Sequence, residues 1–389
     1  MKLLFNTESL APPLTGIGNY TLNLLENLKY YPSIERIDCF SGGRFREVDE
    51  VLAEIHAGPE VPAGLSAAGG GMRRLLRGFG AAYALREVFR GARFRMHSKR
   101  LRDFIYHEPS FILKPHAGIS IATIHDLSFV YYPEFHPAAR AKWLSEQLPR
   151  TLARADFLIT DSERVRQELI ADFSVPESRV RSIPLGAGEQ FRPVSSEQAL
   201  PILEKYALQH GRYVLFLGTI EPRKGVDTLL QAWKGLPAAV RASHTLVLAG
   251  SVGWHAEDLL TQIREMRDRY AVRHLDFVAA SDLPALYSRA SAFVFPAVYE
   301  GFGLPVLEAM RCKVPVICTA QTSMADFAGD AAITFERGCS EQLSASIEYL
   351  LGDAEACRQY AEAGLTRAGT FSWSNCAKDT FEVYRSLVG

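Results

Sequence analysis

Short apolar runs alternate with longer stretches of helical periodicity along the whole chain. Several runs, such as Tyr213–Leu217, are apolar at every position. Continuous apolarity is typical of strands covered on both faces, and therefore of parallel sheets flanked by helices. The repeated strand–helix order predicts an α/β protein with doubly wound domains. The predicted strands are Lys2–Thr7, Arg36–Ser41, Ile119–His125, Phe157–Asp161, Val180–Leu185, Tyr213–Gly218, Thr245–Gly250, Leu275–Val278, Ala292–Pro296, Val314–Thr319 and Ala331–Phe335.

The strand series is interrupted once, at a stretch rich in Pro, Gly and Ser between Pro184 and Pro201. Such a stretch is typical of a loop or linker. We therefore predict an N-terminal domain over residues 1–190 and a C-terminal domain over 191–372. The last segment, Trp373–Leu387, has the pattern of an amphipathic helix.

Composition narrows the class of protein. The 389 residues are 48% hydrophobic and carry a formal net charge of -1, so the chain lacks the basic excess of a general nucleic-acid binder. None of the six cysteines forms a Cys-x-x-Cys pair, which indicates thiols in a reducing compartment. The N-terminus does not have the pattern of a signal peptide, and no apolar run is long enough to span a bilayer. We expect a cytoplasmic protein.

One segment departs from this charge balance. Ten Arg or Lys residues and a single acid, Glu87, lie between Arg73 and Arg102, interleaved with apolar residues. A basic amphipathic segment can lie on an anionic membrane surface, which would make the protein peripheral on the plasma membrane's inner face. Alternatively, its apolar side packs on its own domain and its charges are solvated.

Two loops of the second half carry candidate chemistry for a diphosphate. Gly218 ends an apolar strand, and Arg223 and Lys224 follow immediately before a predicted helix. Arginine can bind a phosphate through two hydrogen bonds, and lysine adds a point charge. The carboxyl ends of parallel strands are where open α/β sheets bind ligands. This loop therefore predicts a phosphate site, with a surface basic pair as the alternative.

The second loop joins a strand to a helix that begins near Leu304. Its turn, Gly301-Phe302-Gly303-Leu304, can offer backbone N–H groups to an anion at the helix N-terminus. Glu300 precedes the turn and Glu308 lies on the helix. Eight helical residues rise about 12 Å, further than the two carboxylates of a glycosidase are separated. Separate roles for the two acids are therefore favoured over hydrolysis.

The first half carries two weaker signals. Gly16 and Gly18 precede a helix, where small residues let the backbone approach a ligand, although a simple turn is the favoured explanation for this motif taken alone. His125 follows an apolar strand, where it could bind a sugar hydroxyl or phosphate or be a structural histidine. The chain has no Asp-x-Asp, His-Glu-x-x-His or P-loop motif, so we predict no catalytic metal and no metal-binding residues.

With these motifs identified, the chain resembles the retaining GT-B glycosyltransferases of family 4 over essentially its whole length. The resemblance is strongest in the Glu-x7-Glu motif from Glu300 to Glu308, and next in Glu221-Pro-Arg-Lys-Gly225. It implies two Rossmann-like doubly wound domains facing a central cleft. The first would bind the acceptor and the second the nucleotide sugar. The C-terminal helix, residues 373–389, would pack back on the first domain.

The resemblance also implies roles for individual residues. Arg223 and Lys224 would bind the donor diphosphate and stabilise the leaving group, and Glu308 would bind the ribose hydroxyls. His125 would contact the sugar near the reacting carbon. The contacts to the sugar, the phosphates or the acceptor would come from Gly16, Gly18, Gly218, Glu300, Gly301, Phe302, Gly303 and Leu304.

The sequence around Ile124-His-Asp-Leu-Ser-Phe129 resembles bacterial mannosyltransferases that use GDP-mannose to build lipopolysaccharide O-chains or exopolysaccharides. The implied reaction is a retaining, metal-independent hexosyl transfer from GDP-mannose to a saccharide acceptor, lipid-linked at the membrane surface, with no other cofactor. Two alternatives stay open at this point. One is a sugar-nucleotide epimerase or hydrolase, and the other is a non-catalytic saccharide-binding protein on the same fold.

Overall fold

The computed structural model describes residues 1–12, 14–57, 91, 94–96 and 98–388. The chain divides into two compact units. Unit 1 combines Met1–Pro184 with Trp373–Gly389, and unit 2 is Leu185–Ser372. The linker composition predicts a break after residue 190, whereas the chain enters unit 2 at Leu185.

Unit 1 is a sheet with strand order β3-β2-β1-β4-β5-β6-β7. Its strand pairs are parallel except for β2 with β3, which is antiparallel. The strands are β1 (Lys2–Asn6), β2 (Arg36–Ser41), β3 (Arg44–Glu47), β4 (Phe104–Glu108), β5 (Ser120–Ile124), β6 (Phe157–Thr160) and β7 (Val180–Ser182). The described helices are α1 (Gly16–Leu28), α2 (Val48–Ala57), α3 (Ser128–Tyr131), α4 (Ala138–Arg154), α5 (Glu163–Phe173) and, at the end of the chain, α15 (Trp373–Val388).

Unit 2 is an all-parallel sheet with strand order β10-β9-β8-β11-β12-β13. Its strands are β8 (Tyr213–Leu217), β9 (Thr245–Ala249), β10 (Val272–Leu275), β11 (Ala292–Phe295), β12 (Val316–Thr319) and β13 (Ile333–Phe335). Its helices are α6 (Ser196–Lys205), α7 (Val226–Gly235), α8 (Ala238–Ser243), α9 (Glu257–Arg269), α10 (Leu283–Arg289), α11 (Leu304–Arg311), α12 (Ser323–Ala328), α13 (Ser340–Gly352) and α14 (Ala354–Ala368). The predicted doubly wound α/β class is confirmed.

Local sequence signals set many of the helix starts. Ser195 and Gln198 form a capping box at the start of α6, in which each side chain binds the other residue's backbone N–H. The Ser162 hydroxyl accepts from the Val165 amide at the start of α5. These bonds satisfy amide groups that the first helical turn leaves without partners. The capping residues therefore fix where these two helices begin.

Strand register determines which loop residues become neighbours. In β5 and β6, Ile124 pairs with Thr160, so the next residues, His125 and Asp161, emerge side by side. In unit 2, β8 and β11 are adjacent, and the chain order reverses between them. Such a switch point is where doubly wound sheets bind ligands. The Gly218–Gly225 loop and the Glu300–Leu304 turn both leave the sheet there.

Two strands were missing from the prediction and a third was misplaced. β3 has the sequence Arg-Phe-Arg-Glu and pairs antiparallel at the edge of the sheet, so it lacks the continuous apolar signature. β4 ends in His107 and Glu108, which are fully buried but polar. The predicted strand Leu275–Val278 is wrong, because β10 runs from Val272 to Leu275 with partly exposed polar residues in its centre.

The basic segment Arg73–Arg102 is described only in part, since residues 73–90, 92, 93 and 97 lie outside the described residues. Phe94 is fully buried, with its ring centroid 4.9 Å from that of Phe40 and 4.7 Å from that of Tyr106. At this position an apolar residue of the segment packs on its own unit. Within the described part of the chain, no helix is both long enough and apolar enough to cross a bilayer.

Candidate active site

The loop after β8 is shaped by a tight approach to the loop after β11. Pro222–Lys224 form one 3₁₀ turn, which ends at Gly225 with φ of 67°. A Cβ at Gly225 would lie 2.1 Å from the Pro296 carbonyl oxygen. Only glycine fits both the left-handed backbone and this contact. The contact fixes Arg223 and Lys224 against the neighbouring loop.

Arg223 links the two loops through hydrogen bonds. Its Nη1 donates to the Tyr299 carbonyl at 2.9 Å and to Glu300 Oε1 at 3.0 Å, and its Nη2 donates to Glu221 Oε1 at 3.1 Å. The side chain is largely buried, with 13% of its surface exposed. Its guanidinium is therefore held in one orientation by acceptors on both sides.

Lys224 completes a cationic pair on the same carboxylate. Its ammonium donates to Glu300 Oε1, the oxygen that also accepts from Arg223. It lies 5.4 Å from the centroid of the Phe295 ring. Both cations are thus neutralised by an acidic side chain of the protein. A bound diphosphate would compete with Glu300 for the same donors.

The glycine-rich turn before α11 is held from behind by α12. Gly303, the N-cap residue of α11, has φ of 106°, and a Cβ there would lie 2.4 Å from Met324 Cγ. Ser323 Oγ donates to the Glu300 carbonyl at 2.6 Å. Pro305 lies in the first helical turn, where its missing N–H is not needed. The predicted helix start at Leu304 is confirmed, and its amide end lies beside the Arg223–Lys224 loop.

Glu308 lies about one turn along α11 and has a partner of its own. Its Oε2 accepts a hydrogen bond from the Tyr287 hydroxyl at 3.0 Å, and Tyr287 is fully buried. Burial raises the pKa of Glu308 to about 8, and the Tyr287 hydrogen bond offsets only part of that effect. Glu300 instead pairs with Arg223 and Lys224. The two acids of the Glu-x7-Glu motif thus have distinct surroundings.

In unit 1, His125 is enclosed at the carboxyl edge of the sheet. Its Nδ1 lies 2.7 Å from Asp161 Oδ2, and its Nε2 lies 2.7 Å from the Pro109 carbonyl oxygen. The Tyr20 and Phe111 rings meet its imidazole edge-on, at centroid distances of 5.0 and 5.9 Å. Burial lowers the pKa of His125, but the Asp161 charge and the two hydrogen bonds outweigh burial, and the pKa is raised.

The two glycines of the first loop differ in their surroundings. A Cβ at Gly18 would lie 2.7 Å from the Ser9 carbonyl oxygen, so glycine is needed there for packing within unit 1. Gly16 has no atom within 4 Å of that position and begins α1. Of the two, Gly16 has the open backbone that a ligand could approach.

A buried carboxylate that the sequence analysis missed lies at the end of β4. Glu108 accepts hydrogen bonds from Asn6 Nδ2, Tyr106 Oη and Ser110 Oγ at 2.6–2.9 Å, with Lys114 Nζ 3.7 Å away. Burial raises the pKa of Glu108, and the Lys114 charge opposes that effect. In the sequence, this cluster is marked only by Glu108, a polar residue at the end of a strand that the hydrophobic pattern does not reveal.

No group of three or more His, Cys, Asp or Glu residues is arranged to hold a metal ion within the described residues. The diphosphate candidates Gly218, Arg223, Lys224, Glu300, Gly301, Phe302, Gly303, Leu304 and Glu308 all belong to unit 2, whereas Gly16, Gly18 and His125 belong to unit 1. Each unit therefore carries its own part of the predicted site.

The sequence is similar to those of known protein families and of individual known proteins. A family model described as "Glycosyltransferase Family 4" matches residues 15–188, and one described as "Glycosyl transferases group 1" matches residues 202–367. The chain is 37% identical to "O-antigen chain mannosyltransferase B" of Escherichia coli over 392 residues, covering 100% of both proteins. It is 33% identical over 242 residues to "Serotype-specific mannosyltransferase WbdA" of the same species, covering 60% of this chain and 29% of that longer protein.

Solved structures agree on the fold. Anabaena Alr3699/HepE in complex with UDP and glucose superposes with a TM-score of 0.72 at 16% identity, covering 99% of this chain and 100% of that one. WaaG, a glycosyltransferase involved in lipopolysaccharide biosynthesis, gives a TM-score of 0.68 at 15% identity, covering 98% and 99% of the two chains.

The two Rossmann-like parallel-sheet domains have the GT-B fold, and the two family models and the full-length relative identify the chain as a glycosyltransferase. The chain belongs to glycosyltransferase family 4, and its enzymatic class is hexosyltransferase. The resemblance inferred from the Glu-x7-Glu and Glu-Pro-Arg-Lys-Gly motifs is confirmed.

Proposed function

We propose that this glycosyltransferase transfers mannose from GDP-mannose to a saccharide acceptor during synthesis of a bacterial surface polysaccharide. Full-length similarity to an O-antigen chain mannosyltransferase supports the choice of sugar and of product class. The observation that carries the site assignment is the convergence of Arg223 and Lys224 on Glu300 at the switch point of unit 2. Two cations and a helix N-terminus at one sheet edge form a site for a diphosphate.

The proposed chemistry rests on stabilising the leaving group. When the bond from the sugar's C1 to the phosphate oxygen breaks, negative charge develops on GDP. Arg223 and Lys224, together with the amides at the start of α11, would meet that charge in a preorganised arrangement. Because these fixed donors supply the positive charge, the proposed reaction needs no metal. Activity that survives dialysis against EDTA would support this part, and activity restored only by a divalent cation would contradict it.

In the proposed reaction, the acceptor hydroxyl attacks C1 of the sugar from the same face from which the leaving group departs. A new bond forms between C1 and the acceptor oxygen, and the acceptor's hydroxyl proton passes to the departing phosphate oxygen. The anomeric configuration is then retained. Glu308 would hold the ribose hydroxyls, while Glu300 and His125 would contact the transferred sugar. NMR of the product would test this course, since a β-linked mannose from the α-linked donor would contradict it.

A donor panel tests the substrate. GDP-mannose, UDP-glucose, UDP-N-acetylglucosamine and GDP-fucose are compared by thermal shift and by transfer to a lipid-linked saccharide. A donor at 100 times its dissociation constant adds about 2.7 kcal/mol of stability, so the true donor is distinguishable. We expect the largest shift and the fastest transfer with GDP-mannose. A UDP-sugar that exceeds it in both assays would overturn the donor assignment.

Substitution of the cationic pair tests the site. Arg223→Ala and Lys224→Ala each remove a charge-assisted hydrogen bond, a loss of about 1.5–3 kcal/mol or roughly 10- to 150-fold in turnover. Lys205→Ala is the matched control, because Lys205 is also paired with an acid in unit 2, 2.6 Å from Asp282, but outside the proposed site. Transfer rates within about threefold of wild type in both site variants would refute their role.

The transfer assay also distinguishes the proposed transferase from the two alternative functions. An epimerase or hydrolase would consume the nucleotide sugar without an acceptor, whereas the proposed transferase would consume it only when acceptor is present. A saccharide-binding protein would bind the donor but release no GDP across the acceptor panel. The paired acids and cations of unit 2 favour the transferase, because binding a saccharide alone needs no diphosphate site.

A lipid-linked acceptor would bring the enzyme to the inner face of the plasma membrane. The support for this part is the excess of Arg and Lys in the sequence between Arg73 and Arg102. Sedimentation with vesicles of phosphatidylglycerol at low salt, reversed by high salt and absent with neutral vesicles, is the expected result. If equal amounts of protein sedimented with anionic and neutral vesicles, the membrane proposal would be contradicted and the transferase assignment would be unaffected.

A further inference from the structure

Two buried histidines of unit 1 have opposite kinds of partner. His125 faces the Asp161 carboxylate on one ring nitrogen and the Pro109 carbonyl on the other. Burial raises the pKa of Asp161, and the charge and hydrogen bond of His125 oppose that effect. The ionised carboxylate and the Pro109 carbonyl can accept hydrogen bonds but cannot donate them. A neutral imidazole has one N–H and could satisfy only one of them, whereas an imidazolium donates to both. The contacts of His125 therefore fit the doubly protonated ring.

His107 is the internal contrast. Its Nδ1 lies 2.6 Å from the Tyr384 hydroxyl, and its Nε2 lies 2.8 Å from the Thr123 hydroxyl. Hydroxyls both donate and accept, so a neutral ring can be fully satisfied there. Burial, followed by the nearby charge of His125, lowers the pKa of His107 to about 3. His107 is thus held neutral, whereas the two ring nitrogens of His125 face only hydrogen-bond acceptors.

Asp161 has little else to neutralise it. Its side chain is 5% exposed, and its second oxygen, Oδ1, is buried with no hydrogen-bond partner among the described residues. A buried carboxylate without a compensating charge is costly. The register of β5 and β6 places Asp161 directly beside His125, which makes the imidazolium its counter-charge.

Among the groups around His125, Asp161 has the strongest attraction for the charged imidazole ring. Asp126, the next residue, accepts hydrogen bonds from the backbone and hydroxyl of Ser128 and adds a weaker attraction. Tyr20 from α1 and Phe111 from the loop after β4 present ring edges. From α15, the buried Cys376 thiol is near enough to Asp161 for the carboxylate to raise its pKa, although its own burial contributes more.

We propose that Asp161 is a positioning residue that holds His125 as an imidazolium and aims its Nε2–H at a single acceptor. That acceptor is the Pro109 carbonyl in the ligand-free protein and a substrate oxygen, of a sugar hydroxyl or of phosphate, during transfer. His125 then acts as a hydrogen-bond donor and not as a base. This inference rests on the proposed function for the substrate contact, whereas the charge state of His125 can be measured independently of turnover.

The first test is NMR of wild-type protein labelled with ¹⁵N at its histidines. The His125 signals are assigned by their loss in His125→Gln. At pH 7.5 both ring nitrogens of His125 should have the shifts of protonated nitrogen, while His107 should not titrate between pH 5.5 and 9. A single neutral tautomer of His125 at pH 7.5 would overturn the proposal, whether or not the Asp161 variants fold.

The second test uses Asp161→Asn, which keeps the size and one acceptor oxygen but removes the charge. The pKa of His125 should fall by about 1–3 units, the range for loss of an adjacent opposite charge. The alkaline limb of kcat should move to lower pH by the same amount, with KM for the nucleotide sugar within about threefold, which is under 1 kcal/mol. Asp161→Glu should restore the profile at least in part. A uniform loss of kcat at every pH would indicate a merely structural role and contradict the proposal.

These outcomes are separable from failure of the proposed function. If no nucleotide sugar were turned over, the transferase assignment would fall, yet the NMR titrations of the wild type and of Asp161→Asn would still decide the state of His125. If transfer occurred and the pKa of His125 were the same in both proteins, the transferase would stand and the role of Asp161 would be refuted.

Discussion

At the scale of single residues, Glu300 pairs with the two cations that we propose bind the donor diphosphate. One of its oxygens accepts from both Arg223 and Lys224, which are otherwise the donors best placed for phosphate. Donor binding must therefore transfer these cations from a carboxylate to the diphosphate. The carboxylate released in that exchange would become available to hydroxyls of the sugar.

Replacement of Glu300 by Gln tests this exchange. The variant removes the competing charge at nearly constant volume, so GDP should bind more tightly, by about threefold or more. Transfer should nevertheless fall at least about tenfold, because the contact with the sugar is lost. Isothermal titration with GDP and a transfer assay measure the two effects, with Glu362→Gln, from the surface pair with Lys313, as control. Weaker GDP binding by Glu300→Gln would show that Glu300 helps to hold the diphosphate.

If Glu308 holds the ribose as proposed, we expect it to couple nucleotide binding to pH. Its pKa of about 8 in the ligand-free protein, raised by burial, means that it is mostly protonated at pH 7. Ribose hydroxyls donate to the ionised form, so binding favours loss of the proton. The affinity for GDP should therefore increase as pH rises through the pKa of the free protein.

From about pH 7 to about pH 9 the dissociation constant of GDP should fall by up to about tenfold in the wild type. The phosphate's own second ionisation, with pKa near 6, is largely complete over this range. Glu308→Gln should bind GDP with an affinity that does not change across the same interval. Titration calorimetry at several pH values measures this, and a wild-type affinity that falls with pH would contradict the prediction.

At the scale of elements, two loops are held together by backbone contacts that require glycine. The left-handed turn at Gly225 presses the 3₁₀ turn of Arg223 and Lys224 against the Pro296 carbonyl. Sequence could identify the loop by its glycine and its charges. It could not show that the close contact is with the loop after β11, because that depends on the order of the strands in the sheet.

Two glycine variants distinguish the cost of left-handed backbone strain from the cost of losing the close contact with the Pro296 carbonyl. Gly338 also has positive φ, at 74°, but a Cβ there meets nothing within 4 Å. Gly338→Ala should cost about 1–2 kcal/mol, from left-handed strain alone. Gly225→Ala should cost more, since the Pro296 carbonyl must also move, and it should weaken GDP binding. Equal losses in urea unfolding, with GDP affinity unchanged in both, would show that the contact does not organise the site.

At the scale of the molecule, the last helix belongs to the unit in which the chain begins. α15 buries Trp373 and Tyr384 in unit 1, and the Tyr384 hydroxyl reaches His107 across 277 residues of sequence. The amphipathic pattern predicted the helix, and its attachment to the first unit was an expectation from the family resemblance. The observed partner, His107, lies on β4, a strand that the pattern did not reveal.

Removal of residues 373–389 should therefore lower the unfolding transition of unit 1. The loss comes from the buried face of α15 and from the orphaned Nδ1 of His107. Tyr384→Phe, which removes only the hydroxyl, should cost about 0.5–1.5 kcal/mol. Differential scanning calorimetry of the three proteins measures this order of stability. A truncated protein as stable as the wild type would contradict the assigned packing.

The sequence by itself determined the strand-end loops and their chemistry, because apolar strands, capping residues and glycine turns are local signals. It therefore identified the fold class and the residues around Arg223, Glu300 and His125. Only the tertiary structure decided the partners. Glu300 meets Lys224 across 76 residues and Asp161 meets His125 across 36. These pairs depend on strand order and register, which arise from packing of the whole sheet and leave no periodic trace in the chain.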